Sequence, residues 1–148
     1  MYKFATELFK NTYKEAMPLT EKHREEINLF NEELDVFTEA YLQADENNSS
    51  RVFTIRDENE KMLGYSIFFL YNPTHHKTSV HARQDVLYIE KEHRGAGLGK
   101  GFIQYCERQL KEAGAIVIQQ CVPKLNDWSK LLKHMGYSEL ETVYMRRL

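Results

Sequence analysis

The residues best suited to chemistry are Arg94, Gly95, Ala96, Gly97, Leu98, Gly99 and Lys100, three glycines in five positions between two cationic side chains. Glycine reaches backbone angles closed to other residues, so such a run can turn several main-chain N–H groups outward and let a ligand approach them. A helix starting directly afterwards adds its own free N–H groups and its dipole. With Arg94 and Lys100 supplying charge, the combination suits a pyrophosphate. A turn that only lets a strand and a helix pack closely is the other use of such a sequence. Two phosphate-loop patterns do not fit. The Walker pattern needs a hydroxyl residue after its lysine, and Gly101 follows Lys100. The dinucleotide fingerprint wants a glycine where Lys100 stands, and a place at the first strand of a βαβ unit.

Positioning that loop takes a strand before it and a helix after it. Residues 80–90 form an apolar strand-like run with Val86, Leu87 and Ile89 near its end, and Phe102, Cys106, Leu110 and Ala113 recur at helical intervals up to Gly114. Upstream, residues 52–56 and 62–71 are rich in β-branched and aromatic side chains around the turn-forming 57–60, which predicts an antiparallel hairpin, and 72–77 form the next turn. The first forty-five residues read as helical. Ala5, Leu8, Phe9, Tyr13 and Ala16 make one stripe that Pro18 ends; Thr20 caps a second helix carrying His23, Ile27, Phe30 and Leu34; a third short segment covers 37–42. Residues 45–50 lack apolar side chains and read as a loop. Downstream, 115–122 predict a strand stopped by Pro123, 127–134 a short helix closed by Gly136, and 140–145 a last strand. Repeats, low-complexity tracts and linkers are lacking.

The chain's 148 residues correspond to one domain, large enough to bury about two thirds of its unfolded surface without staples. With two cysteines, Cys106 and Cys121, and no basic-then-apolar leader, the expected compartment is a reducing cytoplasm. No apolar run approaches the length of a bilayer span. Twenty Lys and Arg against 22 Asp and Glu give a formal charge of −2, which removes the basic field that drives nucleic-acid binding. His75, His76 and His81 lie close together, but paired histidines in a hairpin loop without a cysteine partner are solvated far more often than metallated, so no metal is expected.

Arg94-Gly95-Ala96-Gly97-Leu98-Gly99 resembles the acyl-CoA loop of the Gcn5-related N-acetyltransferase family, whose signature is Gln/Arg-x-x-Gly-x-Gly/Ala. The order of elements agrees over at least residues 50–148. Residues 18–27 and the close of the chain look most like small family members encoded by bacteriophages. The resemblance implies an α/β (α+β) acyltransferase fold, a mixed, mostly antiparallel central sheet with helices on both faces and a helical N-terminal segment. It implies acetyl-CoA as cosubstrate and an amine acceptor, small molecule or protein, with a homodimer expected. Backbone groups of Leu87, Tyr88 and Ile89 are then expected to pair with the pantetheine arm, and the loop Arg94 to Lys100 to hold the pyrophosphate. Asn126 matches a family asparagine that contacts the cofactor; an N-cap for the helix over 127–134 is equally compatible.

Acetyl transfer needs a neutral amine, a polarised thioester carbonyl and a stabilised leaving thiolate. By resemblance the amine's proton goes to a carboxylate or histidine on the strand before the loop, which points to His81 and Asp85; a solvent-facing or hairpin-paired place on the strand is the plainer use of both. Glu90 sits nearer the pyrophosphate. The family's usual thiolate acid, a tyrosine in the last short helix, falls on Leu132 here, which cannot donate a proton. Ser129, His134, Tyr137 and Tyr144 remain as substitutes, with Tyr137 the one carried forward, and a chain that binds acyl-CoA without transferring it is the competing expectation. Trp128 and Cys106 read most simply as packing residues.

Overall fold

The computed structural model describes residues 1–148. Five strands form one sheet in sequence order: β1 (Lys3–Glu7), β2 (Ser50–Arg56), β3 (Met62–Tyr71), β4 (His81–Ile89) and β5 (Val117–Gln119). The first four pair antiparallel, and β5 joins β4 in parallel. Four α-helices accompany them: α1 (Phe9–Ile27), α2 (Thr38–Glu46), α3 (Leu98–Glu112) and α4 (Ser129–His134). Short 3-10 turns cover Lys91–His93 and Lys124–Asn126. No helix is long and apolar enough to cross a membrane.

The sheet is covered on both faces because its strands are apolar on both. Along β2, Phe53 and Ile55 face α3 and meet its stripe Leu98, Phe102, Cys106 and Leu110, whereas Val52 faces α1 and joins Phe9, Ala16 and Leu19. Cys106 is fully buried, as its place on the stripe predicts, and burial pushes its thiol pKa far up. Where Gly64 of β3 pairs with Ile89 of β4, a Cβ on Gly64 would lie 2.7 Å from the Tyr88 carbonyl oxygen. That contact requires glycine.

Several expected elements come out differently. Residues 3–7 form an edge strand rather than helix, since Phe4 packs toward α3 while Lys3 pairs with Glu60 outside. Pro18 does not end a helix: α1 runs through it, because Pro18 sits on the exposed side while Phe9, Ala16 and Leu19 hold the opposite side to the sheet. Pro18 removes the donor for the Lys14 carbonyl, and Lys14 is itself exposed. Thr20 is therefore an interior helical residue, its hydroxyl bonded to the Ala16 carbonyl, and not a cap. Residues 28–37 carry no regular structure. β5 is a three-residue strand, shorter than 115–122. No strand forms over 140–145. Apolar residues there fall on both alternation faces, so register is weakly specified, and Leu140 and Tyr144 are 89% and 91% exposed.

Candidate active site

After the turn Lys91–His93 the chain enters Gly95, Ala96 and Gly97 with φ of +109°, +46° and +81°, then starts α3 at Leu98. Three successive residues thus have positive φ. Leu98 N–H donates to Gly95 O at 3.0 Å and Gly101 N–H to Gly97 O at 2.9 Å, but the amides of Gly95, Ala96, Gly97, Gly99 and Lys100 have no acceptor within the chain. A Cβ at Gly95 or Gly97 would meet nothing within 4 Å, so the concavity is open. Lys100 is exposed and pairs with no carboxylate. The residues present therefore fit a diphosphate.

Arg94 is not free in the same way. Its Nε donates to Ile89 O at 2.8 Å and its Nη2 to both Glu26 oxygens, and its guanidinium lies 5.4 Å from the centre of the Tyr88 ring. It ties the loop to β4 and to the end of α1. Glu26 Oε2 also accepts from Asn126 Nδ2 at 3.1 Å, so Asn126 is anchored beside the loop. Asn126 does not cap α4: the cap position is Trp128, which makes no side-chain cap bond, and the Ser129 amide donates to Asp127 Oδ1 at 2.9 Å.

Ahead of the loop, β4 and β5 part. Their pairing ends at Arg83 and Gln119, although β4 continues to Ile89. The buried side chain of Gln84 bridges the start of the gap, accepting from Cys121 N–H at 3.1 Å and donating to Cys121 O at 3.3 Å. Beyond it the outer edge of β4 is open. Glu90 N–H donates to Leu63 O at 2.8 Å, so alternation turns the peptide groups of Tyr88 to β3 and those of Leu87 and Ile89 outward. Tyr88 is thus not an edge donor, which corrects the expectation for that residue. Its backbone is used within the sheet, and its ring supports Arg94.

Asp85 is the extra residue of a β-bulge: Val86 pairs with Ile67 and Gln84 with Phe68, leaving Asp85 without an opposite number. Bulges re-aim side chains, and here the carboxylate turns to the α1 face of the sheet. Tyr41 Oη donates to Asp85 Oδ2 at 2.6 Å. The two border a cavity of about 310 Å3 between α1, residues 34–38 and the sheet, which His23 and Tyr65 also line. Burial lowers the His23 pKa, against the opposing pull of Glu26, and keeps its imidazole uncharged near neutrality. Burial also pushes the Tyr65 hydroxyl up to about 12, while its oxygen shares a 2.7 Å hydrogen bond with Thr20. Glu90 is enclosed and held below the usual carboxylate range, chiefly by the 2.8 Å hydrogen bond from Lys22.

The remaining residues lie elsewhere. His81 pairs with Tyr71 at the start of β4, eight residues and therefore roughly 26 Å along the strand from Ile89. It does not meet the loop or the cavity. Tyr137 Oη donates to Glu107 on α3 at 2.6 Å and accepts from Gln120, and burial, reinforced by Glu107, raises its pKa far above the ordinary value. Leu132 is buried, and its hydrocarbon side chain has no proton to donate. Glu26, His23, Tyr41 and Gln84 were not marked as site residues by the sequence; only the helical stripe placed His23 on an inward face.

The open loop thus stands at a strand-to-helix junction beside two parallel strands that separate. The chain matches the Acetyltransferase (GNAT) family over residues 8–137 and belongs to it. None of the curated proteins matches it in sequence. Among solved structures it is similar to a ribosomal-protein-alanine N-acetyltransferase from Brucella melitensis, at TM-score 0.73 and 14% identity, covering 100% of this chain and 99% of that one. It is similar also to a predicted acetyltransferase with acetyl-CoA from Clostridium acetobutylicum, at 0.75 and 15%, covering 99% and 96%. An aminoglycoside acetyltransferase from an uncultured soil metagenomic sample, in complex with sisomicin, aligns at 0.75 and 16%, again covering 99% and 96%. At such identities the likeness is one of fold.

Proposed function

We propose that residues 1–148 act as one domain that transfers the acetyl group of acetyl-CoA to a primary amine by direct attack in a ternary complex. The observation that carries this reading is the set of five acceptorless amides at Gly95, Ala96, Gly97, Gly99 and Lys100, opening onto the unpaired edge of β4. Those amides and Lys100 take the diphosphate, where charge-assisted hydrogen bonds are strongest. The outward peptide groups of Leu87 and Ile89 take the pantetheine amides as a further strand would; the Ile89 carbonyl already accepts from Arg94, which leaves the Ile89 N–H and both Leu87 groups.

The acceptor enters from the α1 face. Asp85 meets its ammonium, and the uncharged His23 is placed to take the proton that must leave before the nitrogen can attack. The C–N bond forms, the C–S bond breaks, and the thiolate departs with the electron pair and is protonated from water. Tyr137 is a poor source of that proton because its O–H is already donated to Glu107.

A second reading, a chain that binds acyl-CoA without transferring it, is favoured by Leu132 alone. Thermal melts with acetyl-CoA, followed by thiol-release assays with amines, separate the two. Stabilisation that grows with ligand concentration supports the site; amine-stimulated thiol release supports the enzyme. Unchanged melting at saturating acetyl-CoA sinks both.

A further inference from the structure

We propose that the acceptor is a primary amine carried on a compact apolar or aromatic body, bound with its ammonium at Asp85 and its body along α1. The inference rests on the acetyl-transfer reading and adds to it the substrate class.

The cavity supplies the argument. Its volume of about 310 Å3 lies at the lower end of specific small-molecule sites. At about 30 Å3 for each water-sized unit it holds roughly ten non-hydrogen atoms, the size of a phenylalkylamine. Thirteen of its 19 lining residues are hydrophobic, among them Phe9, Tyr13, Met17, Phe37, Val52 and Ile67. An apolar body removes that surface from water, which favours its binding.

Charge then selects the other end. The ionisable groups facing the cavity are Asp85 from β4, Asp35 from the segment before α2, His23 and Tyr13 from α1, Tyr41 from α2 and Tyr65 from β3, with no lysine or arginine among them. Two carboxylates and no cation favour an ammonium and oppose phosphate or carboxylate on the acceptor. Asp85 is held in place: Tyr41 donates to its Oδ2, and the Tyr41 ring stacks on Phe9 with centroids 4.6 Å apart. Its Oδ1 has no partner within the chain, and Tyr13, Tyr41 and Tyr65 line the same cavity. As the bulge residue, Asp85 lies two positions before Leu87, about 7 Å along the strand from the open edge.

Hydroxylated acceptors are disfavoured for a separate reason. The Thr12 hydroxyl donates to Leu8 O and Phe9 O, and the Thr20 hydroxyl is shared between Ala16 O and Tyr65 Oη. Along the α1 wall the ring hydroxyls of an aminosugar therefore meet hydroxyls whose protons are already committed, and the free polar groups that remain lie at the Asp85 end, where the ammonium binds.

The test uses the full chain with acetyl-CoA and three probes: 2-phenylethylamine, glucosamine and 2-phenylethanol. Thiol release with 2-phenylethylamine is expected at a kcat/KM at least tenfold above that with glucosamine. Calorimetry is expected to show the amine binding tighter than the alcohol, which lacks the charge. Asp85→Asn is expected to raise KM for the amine about tenfold while acetyl-CoA still stabilises the fold. Val36→Lys, which puts a cation into the cavity from an irregular segment, is expected to do the same. If acetyl-CoA stabilises the protein but glucosamine is acetylated as well as 2-phenylethylamine, the substrate class is wrong and the transferase reading stands. If acetyl-CoA has no effect, the transferase reading fails; amine binding lost in Asp85→Asn then still upholds the cavity's selectivity, and absence of binding overturns it.

Discussion

Arg94 Nη2 donates to both carboxylate oxygens of Glu26, at 2.7 and 2.9 Å. One acid at the end of α1 thereby fixes the loop that opens α3, and through Asn126 at 3.1 Å it also fixes the 3-10 turn before α4. Arg94 directly precedes the acceptorless amides, so the geometry of an anion site depends on a side chain that need not touch the anion.

Glu26→Ala is accordingly expected to weaken acetyl-CoA binding about fivefold, on the order of 1 kcal/mol for a partly exposed pair, without removing any loop amide. Arg94→Glu is expected to weaken it further, since it also loses the bond to the Ile89 carbonyl and sets like charge beside a diphosphate. Isothermal titration with acetyl-CoA checks both. Equal affinities for wild type and Glu26→Ala would show that the loop is shaped without α1.

Gly97 and Gly99 differ in a way that a stability measurement resolves. Neither has a neighbour that a Cβ would strike, but Gly97 sits at φ +81° while Gly99 is helical, with a Cβ position 3.8 Å from Leu131 Cδ2. Gly97→Ala is expected to lose about 1–2 kcal/mol from the left-handed conformation. Gly99→Ala is expected to leave stability unchanged or slightly raised, as alanine favours helix. Urea midpoints of the two variants give the comparison, and a stable Gly97→Ala would refute the strained cradle.

What could be read from the chain beforehand was whatever is local. The period of Leu98, Phe102, Cys106 and Leu110 and the glycines before it lie within about four turns, so loop and helix were legible together. The GNAT fold with helices on both faces was implied by the resemblance that the loop motif and the order of elements carry together, and the family match shows it. The 3–7 strand was hidden because five residues of alternation also fit a helical stripe, and Pro18 misled because its effect depends on which side of α1 meets water. The partners of Glu26 stand 68 and 100 residues away, and an acid on a helix reads as a solvated one. Asp85 was marked by type, but its aim comes from a bulge, a property of the pairing with β3 rather than of β4 alone.

Gly64 offers a direct test of that pairing. A Cβ there would meet the Tyr88 carbonyl oxygen at 2.7 Å and the Ile89 Cα at 3.2 Å, so β3 and β4 must separate beside the residues that support Arg94. Gly64→Ala is expected to lower stability by about 2 kcal/mol, roughly 6 °C in Tm for a chain of this size. Its acetyl-CoA affinity should fall as well. A melting curve superimposable on wild type would contradict the close approach of β3 and β4 at Gly64.

His23 gives the pH dependence. Burial disfavours its imidazolium and lowers its pKa from 6.5; Arg94 adds to the lowering, while Glu26 and Asp85 oppose it. Below pH 6.5 the unfolded chain therefore binds a proton that the folded chain still refuses. The linkage relation makes unfolding easier as pH falls through that window and leaves stability flat, for this group, above it. Glu7 and Glu90 act lower. Glu7 is held down by its bonds from Arg56 and Thr54 in spite of burial, and Glu90 chiefly by Lys22, so both lose their contributions only below about 4.5, the ordinary carboxyl value. Between pH 7.5 and 5.5 the loss thus belongs to the histidine. His23→Gln is expected to show a flatter decline in urea midpoint over that interval, together with a loss of kcat larger than any change in KM for acetyl-CoA. Parallel declines in the two proteins would mean that the imidazole accepts its proton as readily inside the fold as outside it.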